Sequence, residues 1–194
     1  MRRLLIAGGL LAVILCGCST KEELIAKSSI VPAGLDLSGQ WVLADRETMK
    51  RIEDAGVEAA GGLEKIVPEP KERTQSDQRA RSSNSGALVH VFLETGVRLK
   101  VTQTDSGLFI SFDRSIVEEY RFGEKRVVSV GPVDADRVSG WEDDAYVIVT
   151  LDEDEAKMTE RYSLGEDGRV LVRSIVITDG DEQRLAIEQL FDRN

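Results

Sequence analysis

Few residue types in this chain can do chemistry, and their spacing narrows the choice further. His90 is the sole histidine, so a cluster of imidazole ligands is excluded. A Ser-His-Asp relay would have to recruit a histidine set in the apolar run Val89-His90-Val91-Phe92, where a core or surface role is the ordinary one. The acidic runs Glu142-Asp143-Asp144 and Asp152-Glu153-Asp154-Glu155 lack the alternating acids and glycine of a loop that wraps calcium. Both fall at expected turns, where solvated carboxylates are the default. No glycine-rich phosphate loop follows a strand. Neither a metal, a cofactor nor a catalytic constellation is therefore expected.

Three charged residues stand out because they interrupt an apolar alternation: Glu160, Arg173 and Glu188. A four-residue loop at Gly165–Gly168 would pair Glu160 with Arg173, Tyr162 with Leu171 and Met158 with Ile175. Turns at Glu153-Asp154 and Gly180-Asp181 would add Ala145, Val147, Val149 and Leu151 to that face and set Glu188 opposite Arg173. The result is either a buried ion pair that fixes register, since a one-residue slip would strand a charge, or a polar anchor that orients the head group of a mostly apolar ligand.

The elements that must position these residues read as strands. Val97, Leu99 and Val101 alternate with Arg98, Lys100 and Thr102, and Asp105-Ser106-Gly107 turns the chain into Leu108, Ile110 and Phe112. Further strands are expected near 116–122, 125–130, 137–141, 145–152, 155–164, 169–178 and 183–191. Turn signals at about 8–12-residue spacing argue an antiparallel meander, either barrel or sandwich. Val170, Val172, Val176, Leu185, Ile187 and Phe191 make a second apolar face that needs a covering layer. Asp45 can cap an amphipathic helix over about 45–60, with Met49, Ile52 and Ala59 on its apolar stripe, to pack on the sheet. Residues of about 67–86 are almost free of apolar side chains and are expected to be disordered. Residues 87–95 suit a short helix or a strand equally.

The N-terminus supplies location. Arg2 and Arg3 precede an apolar run from Leu4 to Leu15, the length of a secretory signal and too short to span a bilayer. Leu15-Cys16-Gly17-Cys18 closes it and resembles the lipobox of bacterial lipoproteins. That resemblance implies cleavage after Gly17 and acylation of the Cys18 thiol, with residues 1–17 the signal peptide, 18–38 a lipidated tether and 39–194 a single β domain. Ser19 after the cysteine points to the outer membrane, facing the periplasm. Loss of Arg2 and Arg3 leaves 23 cations against 35 acids, a net charge of −12, which disfavours nucleic acid and anionic lipid as partners of the body. Both cysteines lie at the cleavage site, so no disulfide supports the domain.

Gly39-Gln40-Trp41, opening the first strand, resembles the lipocalin-like proteins, in which such a tryptophan plugs one end of an antiparallel barrel. The implied function is non-enzymatic binding of an apolar or amphipathic small ligand inside the barrel. The alternative is an envelope interaction or assembly module that presents a sheet face to a protein. An enclosed cavity would mark the first; a filled core with an exposed apolar patch would mark the second.

Overall fold

The computed structural model describes residues 22–45, 47–51, 54, 89–165 and 167–194. Its strands are β1 (Gly39–Leu43), β2 (Arg98–Gln103), β3 (Gly107–Phe112), β4 (Ile116–Arg121), β5 (Glu124–Val130), β6 (Val133–Glu142), β7 (Ala145–Asp152), β8 (Ala156–Leu164), β9 (Val170–Asp179) and β10 (Glu182–Arg193). All pair antiparallel in one sheet of order β4-β3-β2-β1-β10-β9-β8-β7-β6-β5. Successive side chains on a strand point to opposite faces, so Leu99 and Val101 are buried while Arg98 and Lys100 stay outside.

β4 and β5 adjoin in the chain yet form the two edges of the sheet. The sheet twists until those edges face each other in a nearly closed barrel. Side chains bridge the seam. Arg126 Nη2 donates to the Glu119 carbonyl at 3.0 Å, Ser139 Oγ to the Arg121 carbonyl at 3.0 Å, and Arg137 Nη1 to Glu118 at 3.5 Å. The first two occupy backbone carbonyls that would otherwise be open to edge pairing.

The registers correct the expected faces. β7 and β8 pair as Tyr146↔Tyr162 and Ile148↔Glu160, one residue away from the pairing expected. The turn holds three residues, not two: β7 ends at Asp152, β8 starts at Ala156, and Glu155 closes it at φ 68. An odd-length turn flips one strand relative to the other. Tyr146, Ile148 and Thr150 therefore face inward with Met158, Glu160 and Tyr162, and Ala145, Val147, Val149 and Leu151 face outward. Between β8 and β9, Tyr162↔Arg173 and Glu160↔Ile175 pair, a two-residue shift that preserves the faces. A bulge between Gln183 and Leu185 resets β10, so Gln189 stands opposite Arg173. Leu185, Ile187 and Phe191 accordingly lie inside, on the face opposite Val170, Val172 and Val176.

The outward apolar row of β7 is buried all the same, because residues 22–31 cross it as a strap. Leu24 packs with Val138, Ala145, Val147, Val149 and Leu151. Ser28 and Trp141 exchange two backbone hydrogen bonds of 3.2 and 2.8 Å. Glu22 pairs with Lys157 at 2.7 Å and Glu23 with Lys125 at 2.9 Å, while Glu142 accepts from both Lys27 and Arg161. Gly140 permits the crossing: a Cβ there would lie 2.5 Å from the Ser28 carbonyl oxygen. Within the expected tether, 18–38, the chain packs on the barrel from Glu22 onward, and Leu37 is fully buried in the main core.

Of the expected helix, residues 47–51 and 54 are helical; the remainder lies outside the described residues. Met49 packs against the inward-facing cluster, not on the outer face of the sheet. Of residues 87–95, those from Val89 onward are described and contain a 3₁₀ turn, His90–Phe92; Val89 and Phe92 pack with Ala135, Ala156, Met158 and Ile177. The signal segment, Cys18 and residues 67–86 lie outside the described residues.

Candidate functional site

Arg173 on β9 is wholly buried and Glu160 on β8 nearly so, 0% and 2% exposed. Both project inward because the β8–β9 register keeps their faces. Arg173 Nε donates to Glu160 Oε2 at 3.1 Å, and Nη2 donates to the same oxygen. Nη2 also donates to the Glu94 carbonyl at 2.9 Å, and Nη1 to Gln189 Oε1 at 3.3 Å. The Tyr162 hydroxyl donates to Glu160 Oε2 at 3.0 Å. The guanidinium carbon lies 5.2 Å from the Phe112 ring centre and 5.4 Å from that of Tyr162, within cation–π range. Burial pushes the Tyr162 hydroxyl far above the usual tyrosine range, so it remains a donor.

Glu188, expected beside this pair, is exposed on the outer face; the β10 bulge gives its place to Gln189. Sequence reasoning missed Gln189, Glu94 and a second interior cation, Arg137. Arg137 is 5% exposed, donates from Nε to Thr150 Oγ1 at 3.0 Å and lies between the rings of Phe92 and Tyr120, 5.6 and 5.8 Å away. The inward alternation of β6 was the signal that could have found it. Glu94, Glu118 and Glu160 face these two guanidiniums. Burial and then the charge of Glu118 raise the Glu94 carboxyl above its ordinary range. Carboxylates already match the cations, and each Arg173 nitrogen donates to the protein, which engages four of its five N–H groups internally.

Trp41 is fully buried on the inner face of β1. Its indole Nε1 donates to the Leu37 carbonyl at 3.2 Å, and the Arg193 guanidinium lies 4.2 Å from its ring centre. It belongs to one contiguous cluster with Leu37, Phe112, Tyr146, Tyr162 and Phe191, and these six are 0–1% exposed. Side chains whose whole surface is covered leave no water-sized space beside them, so this part of the barrel is filled.

At the far end of β7, Asp152 uses its carboxylate on its own turn. Oδ1 accepts from the Asp154 and Ala156 amides at 3.0 and 2.9 Å, while Oδ2 is buried without a partner. Burial pushes this carboxyl up to about 6. Among the described residues no three His, Cys, Asp or Glu side chains are placed to hold a metal ion.

One open site lies on the outside. A groove of about 490 Å³ runs over the outer face of β1, β2 and β3. Val42, Phe109 and Val117 supply apolar surface, and Arg98, Lys100 and Arg114 are its charged side chains, with no Asp or Glu among the residues that line it. Pairing explains the grouping: Val42 stands across from Arg98, Gln40 from Lys100, Lys100 from Ser111, and Ser111 from Val117. Arg114 is held by the β3–β4 turn, where Asp113 and Arg114 adopt φ of 49° and 64°. Three residues separate Phe112 from its partner Ile116, and left-handed conformations are costly without glycine. The Asp113 carboxylate offsets that cost by accepting from the Val97 and Arg98 amides at 3.1 and 2.9 Å.

No protein-family model matches the chain, and no curated protein does. Solved structures of similar form include the fatty acid transporter REP1-NXSQ, at 9% identity over 82% of this chain and 96% of that one, TM-score 0.47. Secretory abundant heat soluble protein 4 from Ramazzottius varieornatus matches at 11% identity over 81% and 94%, TM-score 0.45. The Schistosoma mansoni fatty acid binding protein, solved with arachidonic acid, matches at 10% identity over 81% and 95%, TM-score 0.43.

Proposed function

We propose that the chain is an envelope lipoprotein, acylated at Cys18 and held at the outer membrane, whose barrel is a non-enzymatic interaction module that meets a partner on the outside of its sheet. One contrast carries this reading. The interior around Arg173 is filled and its hydrogen bonds are made within the protein, whereas β1–β3 offer an open groove of about 490 Å³ with exposed apolar side chains. Interaction sites are recognised by such patches on otherwise closed folds.

Labelled palmitate incorporated into the wild-type chain and lost in Cys18→Ala supports the anchor. Unprocessed chain in the cytosol overturns it. Native mass spectrometry of the mature protein tests the rest. A co-purifying protein supports the module, and a co-purifying lipid returns the reading to a small apolar ligand inside the barrel, which the apolar inner face of β2 and β3 favours. The docked strap adds a geometric consequence. Only residues 19–21 separate Cys18 from Glu22, so an acylated chain would hold the barrel within about 14 Å of the lipid.

A further inference from the structure

We infer that the occupant of the β1–β3 groove is an acidic amphipathic peptide segment of a partner protein; this deepens the outer-face reading above and rests on it. Charge points to it first. The chain carries 35 acids against 25 Lys and Arg, yet Arg98, Lys100 and Arg114 line the groove and no Asp or Glu does; Asp192 and Glu119 border it, across from Val42 and Phe109. Among the described residues Lys100 and Arg114 have no ion-pair partner, and Arg98 reaches only Asp113, at 4.0 Å with both side chains solvated, a contact worth little. These cations are available to a partner.

Spacing favours the same occupant. Arg98 and Lys100 alternate on β2, so their Cα atoms are about 7 Å apart, and Arg114 stands beyond Arg98 on the next turn. The three cationic side chains start from different points along the groove, so a segment that carries several carboxylates can pair with them one by one. Acidic side chains three or four residues apart on a helix, about 5–6 Å from one another, would meet them in series. Apolar residues on the same helix would lie on Phe109, Val42 and Val117, which is the helix-in-groove mode of recognition.

The apolar floor is accessible: Phe109 and Val42 are each 37% exposed and Val117 62%, so apolar side chains of a partner helix can reach all three between the cationic ones. The strained Asp113-Arg114 turn, whose Asp113 carboxylate accepts hydrogen bonds from the Val97 and Arg98 amides, fixes one end of this cationic row.

The test uses the purified full chain and a fluorescent helical peptide of about 18 residues with leucines at i, i+3, i+4 and i+7 and glutamates on both flanks, beside the same peptide with lysines replacing the glutamates. The acidic peptide is expected to bind, with affinity falling between about 50 and about 300 mM salt. Arg98→Glu/Lys100→Glu/Arg114→Glu should weaken it by at least about tenfold and reverse the preference toward the lysine peptide. These side chains are exposed, so the fold should survive, as circular dichroism would show. Equal affinity for both peptides, or none for either, overturns the inference. So does loss of partition into vesicles of about one-third phosphatidylglycerol as the variant's main effect, because the occupant is then a bilayer. A photo-crosslinking residue at position 117 in the intact envelope separates the two claims. Crosslinks to a protein segment without acids sink this inference and leave the outer-face module standing; no crosslink to any protein sinks both.

Discussion

Arg173→Met probes the interior most sharply. The substitution removes both guanidinium bonds to Glu160, the bond to Gln189 and the bond to the Glu94 carbonyl. It leaves a carboxylate that is 2% exposed with only the Tyr162 hydroxyl as donor. Breaking one side of a buried pair costs about 3–5 kcal/mol, because the remaining ion keeps its desolvation penalty without its partner. A domain of this size has about 5–15 kcal/mol in total, so the variant should fold with a much lower urea midpoint. Adding Glu160→Leu removes the stranded charge. The double variant should then return to within about 1.5 kcal/mol of wild type or exceed it, as apolar replacements of buried pairs do. Urea denaturation of wild type, both singles and the double at pH 7 measures all of this. A single variant as stable as wild type, or a double as weak as the sum of the singles, would refute the reasoning.

Two further outcomes follow from particular contacts. Gly140→Ala places a methyl 2.5 Å from the Ser28 carbonyl oxygen and should undock the strap at a cost of about 1–3 kcal/mol, read as faster tryptic cleavage after Lys27; an unchanged cleavage rate would contradict the docking. Asp152→Asn should stabilise the protein at pH 7. Burial raises the Asp152 carboxyl from 3.8 to about 6, so the folded state binds the proton more tightly, and stability falls as pH rises through that window. Removing the charge should be worth about 1–2 kcal/mol at pH 7 and little near pH 4. Equal gains at both pH values would show that the charge is not the cause.

The order of strands was legible in the chain because period-two alternation and turn residues are local signals. Val97–Thr102, Leu108–Phe112 and Ala145–Asp152 could be read as strands before any pairing was known. Glu160 and Arg173 announced themselves in the same way, as charges in an apolar alternation. Glu188 did not survive, because its face depended on a bulge at Gln183–Leu185 that no local residue pattern signals. The β7 row changed faces for a similar reason: a three-residue turn and a two-residue turn look alike in a run of acids, yet they differ by one residue of register.

By itself, then, the sequence determined a disulfide-free antiparallel meander, an acidic surface and a signal-like N-terminus, because composition and short-range periodicity carry those directly. Which side chains meet was decided only in three dimensions. Gln189, Glu94 and Arg137 reach the interior, Leu24 covers the outside of β7, and Arg98, Lys100 and Arg114 gather on one groove through pairings between strands distant in sequence. Such pairings are set by turn length, bulges and the closing of the barrel, and a one-residue change in any of them moves a whole row of side chains to the other face.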